Sequence, residues 1–154
     1  MIIILASDHA GFALKEEVKL FIQEKGYDVL DVGTETFVED DDYPMYMKSA
    51  AIKVSEDLGG NTKAIVFGGS GQGEAIVCNR FKRVRAIVWY GGDMEIIRKS
   101  REHNDANILS IGARFVGDQE TKKVVELWLN TPFSKEERHV RRIAEIDEDF
   151  TNLR

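Results

Sequence analysis

The sequence predicts an α/β protein, a Rossmann-like three-layer sandwich in which a five-stranded parallel sheet carries helices on both faces. Short apolar runs typical of buried strands alternate along the chain with segments of helical periodicity. Polar or glycine-rich turns follow several of the predicted strands, as expected where parallel strands end at one edge of a sheet. The chain has 154 residues, 43% of them hydrophobic, which is enough for one domain with a substantial core.

The first half of the chain predicts two strand–helix units. Ile2–Ala6 is an apolar run of strand length, and the polar turn Ser7–Gly11 follows it. Apolar residues then recur at helical spacing until Gly26, which ends the first helix. An alternating strand at 27–32 leads through an acidic loop to a second helix, where Pro44 suits the first helical turn.

The second half continues the same alternation. Apolar strands are predicted at 64–67, 84–89 and 108–111. The helix after the second of these strands runs towards His103, and the helix after the third runs through Leu129. The pattern Ser134–Glu137 is that of a capping box, and it predicts a last helix that continues to about Phe150.

Composition excludes several classes of protein. The formal net charge of −6 argues against general binding to nucleic acids or anionic membranes. The single cysteine, Cys78, excludes an internal disulfide, fits a reducing cytosol and is expected to be buried. No apolar run approaches the ~20 residues of a membrane span. The N-terminal stretch lacks a basic region and is interpreted as a strand rather than a signal peptide.

The stretch from Gly68 to Gly73 carries almost no side-chain bulk between a predicted strand and a helix start, an arrangement that favours anion binding. It is not a P-loop, because Glu74 stands where the lysine belongs and Ala75 replaces the hydroxyl residue. The dinucleotide fingerprint fails at Glu74 as well. We interpret the loop as a cradle for an oxyanion beside a carboxylate that moves a proton. The alternative is a plain glycine-rich turn with a favourable first-turn acid.

Other polar residues also follow predicted strands. Asp8 and His9 follow the first strand, Ser70 to Glu74 follow the third and Arg114 follows the fifth. Because the carboxyl ends of parallel strands share one edge, we expect these residues to meet in space. His9 is a candidate for phosphate binding or proton transfer, whereas the alternative is a turn in which Asp8 serves as a local cap.

Two further polar groups lie outside these turns. In the run Arg101–Asn107, His103 is a candidate general acid with Asp105 to orient it, unless it is a helix C-terminal cap. Arg138 and Arg142 would stack one helical turn apart and suit a phosphate, unless they pair with nearby glutamates. The spacing of the three histidines matches no recognised metal motif, so no metal site is expected.

Six motifs occur along the chain in the order ASDHAG (6–11), DYP (42–44), GGSGQGEAIVCN (68–79), REHNDAN (101–107), IGAR (111–114) and RHVRR (138–142). Together they resemble the ribose-5-phosphate isomerase B family, which includes the galactose-6-phosphate isomerase subunits. The resemblance covers the chain from Ile2 to about Ile146 and implies one sugar-phosphate isomerase domain over residues 1–154.

The resemblance implies that the protein interconverts an aldose phosphate and its ketose without a cofactor. The sugar ring would open first, and a proton would then move between C1 and C2 through an enediolate. One branch of the family uses a cysteine base at the position of Gly68, and the other uses a glutamate that Glu74 matches. Ribose 5-phosphate and ribulose 5-phosphate are the expected substrates. The alternatives are allose or galactose 6-phosphate, a non-catalytic sugar-phosphate-binding subunit, or, on fold analogy alone, a flavodoxin-like redox or nucleotide-binding domain.

The resemblance also assigns roles to individual residues. Glu74 would be the proton-transfer base, and His103 would be the acid–base group for ring opening. The residues that would line the enediolate oxygens are Gly69, Ser70, Gly71 and Gly73. Sugar hydroxyls would contact Asp8, Tyr43 and Asn104, and the phosphate would bind His9, Arg114, Arg138 and Arg142. The last helix, at about 134–150, would reach across a homodimer, or a tetramer, so that its arginines serve the partner subunit. The expected location is the cytoplasm.

Overall fold

The computed structural model describes residues 1–148, and the predicted end of the last helix near Phe150 lies outside them. The strands are β1 (Ile2–Ser7), β2 (Asp28–Asp31), β3 (Thr62–Gly68), β4 (Ala86–Trp89) and β5 (Ile108–Gly112). The helices are α1 (Phe12–Glu24), α2 (Tyr43–Glu56), α3 (Gln72–Cys78), α4 (Glu95–Glu102), α5 (Asp118–Asn130) and α6 (Glu137–Asp147). Within the described residues, no helix is long and apolar enough to cross a membrane.

The five strands form one sheet in the order β2-β1-β3-β5-β4, and every pair is parallel. The predicted fold class is therefore confirmed. Because β3 lies between β1 and β5, the loops that follow these three strands are neighbours at the carboxyl edge of the sheet. This order brings together the polar turns that the sequence places after the first, third and fifth strands.

The core has two parts, one on each face of the sheet, because successive side chains of a strand point to opposite faces. Ile3 and Leu5 of β1 belong to one cluster, with residues of α1, α4 and α5. Ile4 and Ala6 belong to the other, with residues of α2 and α3 that include Cys78. This alternation produces the three layers, and the predicted burial of Cys78 is confirmed.

Two local predictions are wrong. The Ser134 hydroxyl does not complete a capping box, because α6 begins at Glu137 and has no side-chain cap. The hydroxyl instead bonds the imidazole of His139 at 2.9 Å. Strand β4 begins at Ala86, two residues later than expected, because the backbone amide of Arg85 donates to the Asn107 side chain.

Candidate active site

A cleft of about 480 Å³ opens at the carboxyl edge of the sheet, above the ends of β1, β3 and β5. It is lined by Asp8, His9, Ala10, Tyr43, Gly69, Ser70, Gly73, Glu74, Arg114 and Phe115. The structure thus brings eight sequence-predicted site residues to one place. The sequence reasoning missed two lining residues, Ala10 and the largely exposed Phe115, although each directly follows a predicted one.

The glycine-rich loop is anchored through its carbonyl groups. The carbonyls of Gly68 and Gly69 accept from the amides of Ala113 and Arg114 at 2.8 and 3.1 Å. The carbonyl of Gly71 accepts from the buried Ser110 hydroxyl at 2.7 Å. Since a trans peptide places its C=O and N–H on opposite sides, the N–H groups of Gly69 and Ser70 point away from β5 and the loop after it.

Gly71 has a different role from the other predicted loop residues. It is buried, and its φ of 77° is in the left-handed region that suits glycine. It precedes the first residue of α3 and turns the chain from the loop into the helix. Gly71 is not among the residues that line the cleft, so its position supports the loop geometry rather than direct contact with a ligand.

The Glu74 carboxyl group fills the space beside Gly68. The side chain is on the first turn of α3, and the residue is only 4% exposed. A Cβ atom added at Gly68 would lie 1.9 Å from Glu74 Oε1 and 2.1 Å from Cδ, so only glycine leaves room for this carboxyl group. Burial raises the pKa of Glu74, and the charge of Asp8 raises it further. A carboxylate with a raised pKa is better suited to accept a proton from carbon.

Asp8 stabilises the turn after β1. Its Oδ1 atom accepts hydrogen bonds from the amides of Ala10 and Gly11 at 3.0 and 3.2 Å. Gly11 crosses the end of β3 so closely that a Cβ there would lie 2.5 Å from Cβ of Phe67. Asp8 therefore stabilises the turn that leads into α1 without capping the helix itself, and the same residue also lines the cleft.

His9 is held by Asp41, a residue that the sequence reasoning did not select. The Oδ1 atom of Asp41 contacts both the backbone N and the ring Nδ1 of His9, each at 2.8 Å. The hydrogen bond to Asp41 raises the pKa of His9, and the charges of Asp8 and Asp40 add to this effect. Among the described residues, Asp8, His9 and Asp41 form one group whose potential metal-ligand atoms lie within 4.8 Å of one another.

Tyr43 and Arg114 pack directly on glycines of the loop. A Cβ added at Gly73 would lie 2.7 Å from the Tyr43 hydroxyl oxygen, and one at Gly69 would lie 3.4 Å from Cζ of Arg114. The absence of a side chain at Gly73 therefore lets the phenol of Tyr43 approach the backbone, whereas the guanidinium of Arg114 lies at an ordinary contact distance from Gly69. Both are groups that can contact a phosphorylated, hydroxyl-rich ligand.

His103 and Asn104 are not among the residues that line the cleft. They follow the end of α4 and precede β5, which places them at the amino edge of the sheet. The His103 ring lies 4.3 Å from the ring of His139, centroid to centroid. The Asp105 carboxylate, expected to orient His103, instead pairs with Arg101 at 2.8 Å and Arg85 at 3.2 Å.

Arg138 and Arg142 are exposed on α6, also away from the cleft of their own chain. Arg138 pairs with Glu136 at 2.8 Å, and both side chains are more than half exposed. His139 is the one buried residue of α6, whereas Val140 and Ile146 are about half exposed. The helix therefore presents cationic and apolar groups that the rest of residues 1–148 leaves exposed.

Comparison with known proteins identifies the family of the chain. A family model described as Ribose/Galactose Isomerase matches residues 3–146. The chain belongs to the ribose/galactose isomerase family. Ribose-5-phosphate isomerase B from Mycolicibacterium paratuberculosis is 38% identical over 144 residues, which cover 93% of this chain and 87% of the relative. The enzyme of the same name from Escherichia coli is 36% identical over 140 residues, covering 90% of this chain and 89% of that one.

Solved structures of family members have the same fold. Ribose-5-phosphate isomerase B from Mycoplasma genitalium with bound ribulose-5-phosphate superimposes with a TM-score of 0.88 at 33% identity, covering 94% of this chain and 93% of that one. The ribose-5-phosphate isomerase B of Clostridium thermocellum gives a TM-score of 0.89 at 37% identity, with 100% of both chains covered.

Proposed function

We propose that this member of the ribose/galactose isomerase family interconverts ribose 5-phosphate and ribulose 5-phosphate without a cofactor. The observation that carries the proposal is the buried Glu74 carboxyl group, which lies beside the glycine loop in a cleft that also holds His9 and Arg114. The names of the relatives and the ribulose-5-phosphate bound to the Mycoplasma genitalium protein support these five-carbon substrates. They give no support to the six-carbon alternatives.

Glu74 has the position and environment of the proton-transfer base. In the forward reaction, the carboxylate takes the proton from C2 of the open-chain aldose and returns it to C1. A second proton moves from the O2 hydroxyl to O1, so the carbonyl shifts from C1 to C2 with no net gain or loss of electrons. The enediolate between these steps carries negative charge near the loop. The N–H groups of Gly69 and Ser70, with the Ser70 hydroxyl, are the donors assigned to stabilise it.

The other cleft residues would hold the substrate. Arg114 and His9 supply positive charge for the phosphate, and a guanidinium can bind two phosphate oxygens at once. Asp8 and Tyr43 are assigned to the sugar hydroxyls. Ring opening needs an acid–base group at the ring oxygen, and this role falls to His103.

We assign His103, Asn104, Arg138 and Arg142 to the cleft of a partner subunit in a homodimer. All four belong to the amino edge of the sheet or to α6, so none of them lines the cleft of its own chain. The uncovered apolar residues of α6 support a role in association. A tetramer would be built from such dimers. The buried Cys78 fits the reducing cytoplasm, where we expect the enzyme to act.

The test of the reaction is the rate of ribulose 5-phosphate formation from ribose 5-phosphate in wild type and Glu74→Gln. The amide keeps the shape of Glu74 but cannot accept the proton, so kcat should fall about 10²- to 10⁴-fold while inorganic phosphate still binds. Glu24→Gln, at an exposed site on α1, is the matched control and should behave as wild type. Near-normal turnover in Glu74→Gln would remove Glu74 as the base. No turnover by wild type would contradict the proposed reaction.

The shared site is tested by mixing two inactive variants, Glu74→Gln and His103→Gln, and letting subunits exchange. If His103 serves the partner, each mixed dimer contains one complete site. Activity should then return to about a quarter of the wild-type level for random pairing. If both residues act within one chain, the mixture should stay inactive.

A further inference from the structure

Asp41 lies in the acidic loop between β2 and α2, and its side chain is 5% exposed. Its Oδ1 atom accepts from the backbone N of His9 at 2.8 Å and lies 2.8 Å from the ring Nδ1. One carboxylate oxygen therefore fixes both the backbone and the ring of a residue 32 positions earlier in the chain. A surface aspartate that only solvated the loop would have neither contact.

The contact determines which ring nitrogen carries a proton. A carboxylate accepts hydrogen bonds and cannot donate them, so Nδ1 of His9 must be the protonated nitrogen facing Asp41. The other nitrogen, Nε2, is then the one left for a ligand of the cleft that His9 lines. When Nε2 is also protonated, the ring is a cation that can donate to a phosphate oxygen.

We propose that Asp41 is a positioning residue of the phosphate subsite. Asp41 holds His9 in one orientation and keeps the His9 ring cationic when the sugar phosphate binds. The inference rests on the proposed function, because the phosphate is the ligand assigned to His9. Asp41 itself is not among the residues that line the cleft, so it acts through His9 and not by contact with substrate.

The surroundings of His9 are predominantly acidic. The ring of Phe37 lies edge-on at 6.4 Å. The titratable or charged groups around His9 and Asp41 are Asp8 on the same turn, Asp40 in the acidic loop, Tyr43 and Tyr46 of α2, and Glu74 and Arg114 across the cleft. The hydrogen bond to Asp41 is the largest of the effects that raise the pKa of His9.

Asp41→Asn removes the charge and keeps the shape, because the asparagine oxygen can still accept from the backbone of His9. The pKa of His9 should therefore fall. Below the new pKa both proteins carry a charged ring and bind phosphate alike. Between the two pKa values only the wild-type ring is charged, and the dissociation constant of the variant should be about tenfold higher there. Above both values the difference should vanish again.

The experiment follows the histidine rings by two-dimensional ¹H–¹⁵N NMR as a function of pH in wild type, Asp41→Asn and Glu39→Gln. Glu39→Gln removes the same charge from an exposed position of the same loop and is the matched control. The His9 signals are assigned with His9→Gln, and inorganic phosphate is then titrated at several pH values. We expect protonated Nδ1 in wild type, a lower His9 pKa only in Asp41→Asn, and weaker phosphate binding only in the window between the two values.

The outcomes separate this inference from the proposed function. An unchanged His9 pKa in Asp41→Asn, or an equal change in Glu39→Gln, would overturn the role of Asp41 whatever reaction the protein catalyses. If Asp41→Asn fails to fold, the wild-type spectrum decides alone, because a ring protonated only at Nε2 excludes the proposed contact. If the His9 results are as expected but ribose 5-phosphate is not turned over, the proposed function fails and the coupling of Asp41 to His9 remains.

Discussion

The carboxyl and amino edges of the sheet differ in what each offers a substrate. At the carboxyl edge, the turns after β1, β3 and β5 form a cleft with a buried carboxyl group, a glycine loop and Arg114. At the amino edge, the polar run that contains His103 is built on ion pairs such as Arg101 with Asp105. One edge forms a cleft within a single chain, whereas the groups of the other edge line no part of that cleft and would serve the proposed site only from a second chain.

Strand order positions only part of the proposed site. Residues that follow parallel strands converge because of the topology alone. Residues that precede a strand converge at the other edge, far from the cleft of the same chain. If this division is right, damage at the carboxyl edge should abolish chemistry, and damage at α6 should weaken binding through the partner.

The largest effect is expected for Gly68→Ala. The added methyl group would overlap the Glu74 carboxyl group, which must then leave its place beside the loop. Displacement of the base should lower kcat by about 10²- to 10³-fold in the ribose 5-phosphate assay. Gly59→Ala is the matched control from the opposite edge, where a Cβ would meet only Asp57 Oδ1 at an acceptable 3.4 Å. Equal activity of the two variants would contradict the assignment of Glu74.

An intermediate effect is expected at α6. Arg138→Ala and Arg142→Ala should each raise KM for ribose 5-phosphate about 10- to 100-fold and change kcat less, because each removes a cation that the proposal assigns to the phosphate. Arg141→Ala is the control on the same helix, since that exposed arginine interacts with Glu145 at 3.9 Å and has no assigned role in the site. If Arg138→Ala, Arg142→Ala and Arg141→Ala all had the same KM, Arg138 and Arg142 would not bind the phosphate.

The smallest effect concerns stability. Because burial raises the pKa of Glu74 in the folded protein, the folded state binds this proton more tightly than the unfolded state. Stability should therefore decrease as pH rises from the unfolded pKa through the folded one, and the cost is complete above the folded pKa. Glu74→Gln should raise Tm by about 2 °C at pH 7.5 and leave it unchanged at pH 4. A thermal scan in which Glu74→Gln is less stable than wild type at pH 7.5 would contradict a stability cost of the ionised Glu74.

Most of the fold could be predicted because the strand–helix alternation is a local property of the sequence. Pro44 and the glycines after the predicted elements mark boundaries for reasons that need no tertiary contact. The capping box at Ser134 failed because its hydroxyl contacts the ring of His139, five residues further along, and the amide of Glu136. The spacing of Ser134 and Glu137 alone does not show which of these nearby groups the hydroxyl will bond.

The cleft was predictable to the extent that its residues follow strands of the same edge. Glu74, Asp8 and Arg114 were found in this way. Asp41 was missed because it is one of three consecutive aspartates, and only the path of the folded loop selects the one that meets His9. No local pattern distinguishes these three side chains from one another.

The packing of Gly68 against Glu74 has a consequence for how this family can change over time. The resemblance implies that some members place a cysteine base at the position of Gly68, and here that side chain and the glutamate would compete for one volume. A single change to cysteine would crowd the glutamate, and a single loss of the glutamate would leave no base. If Glu74 is the base as proposed, a lineage can pass from one solution to the other only if the cysteine arises before the glutamate is lost or at the same time.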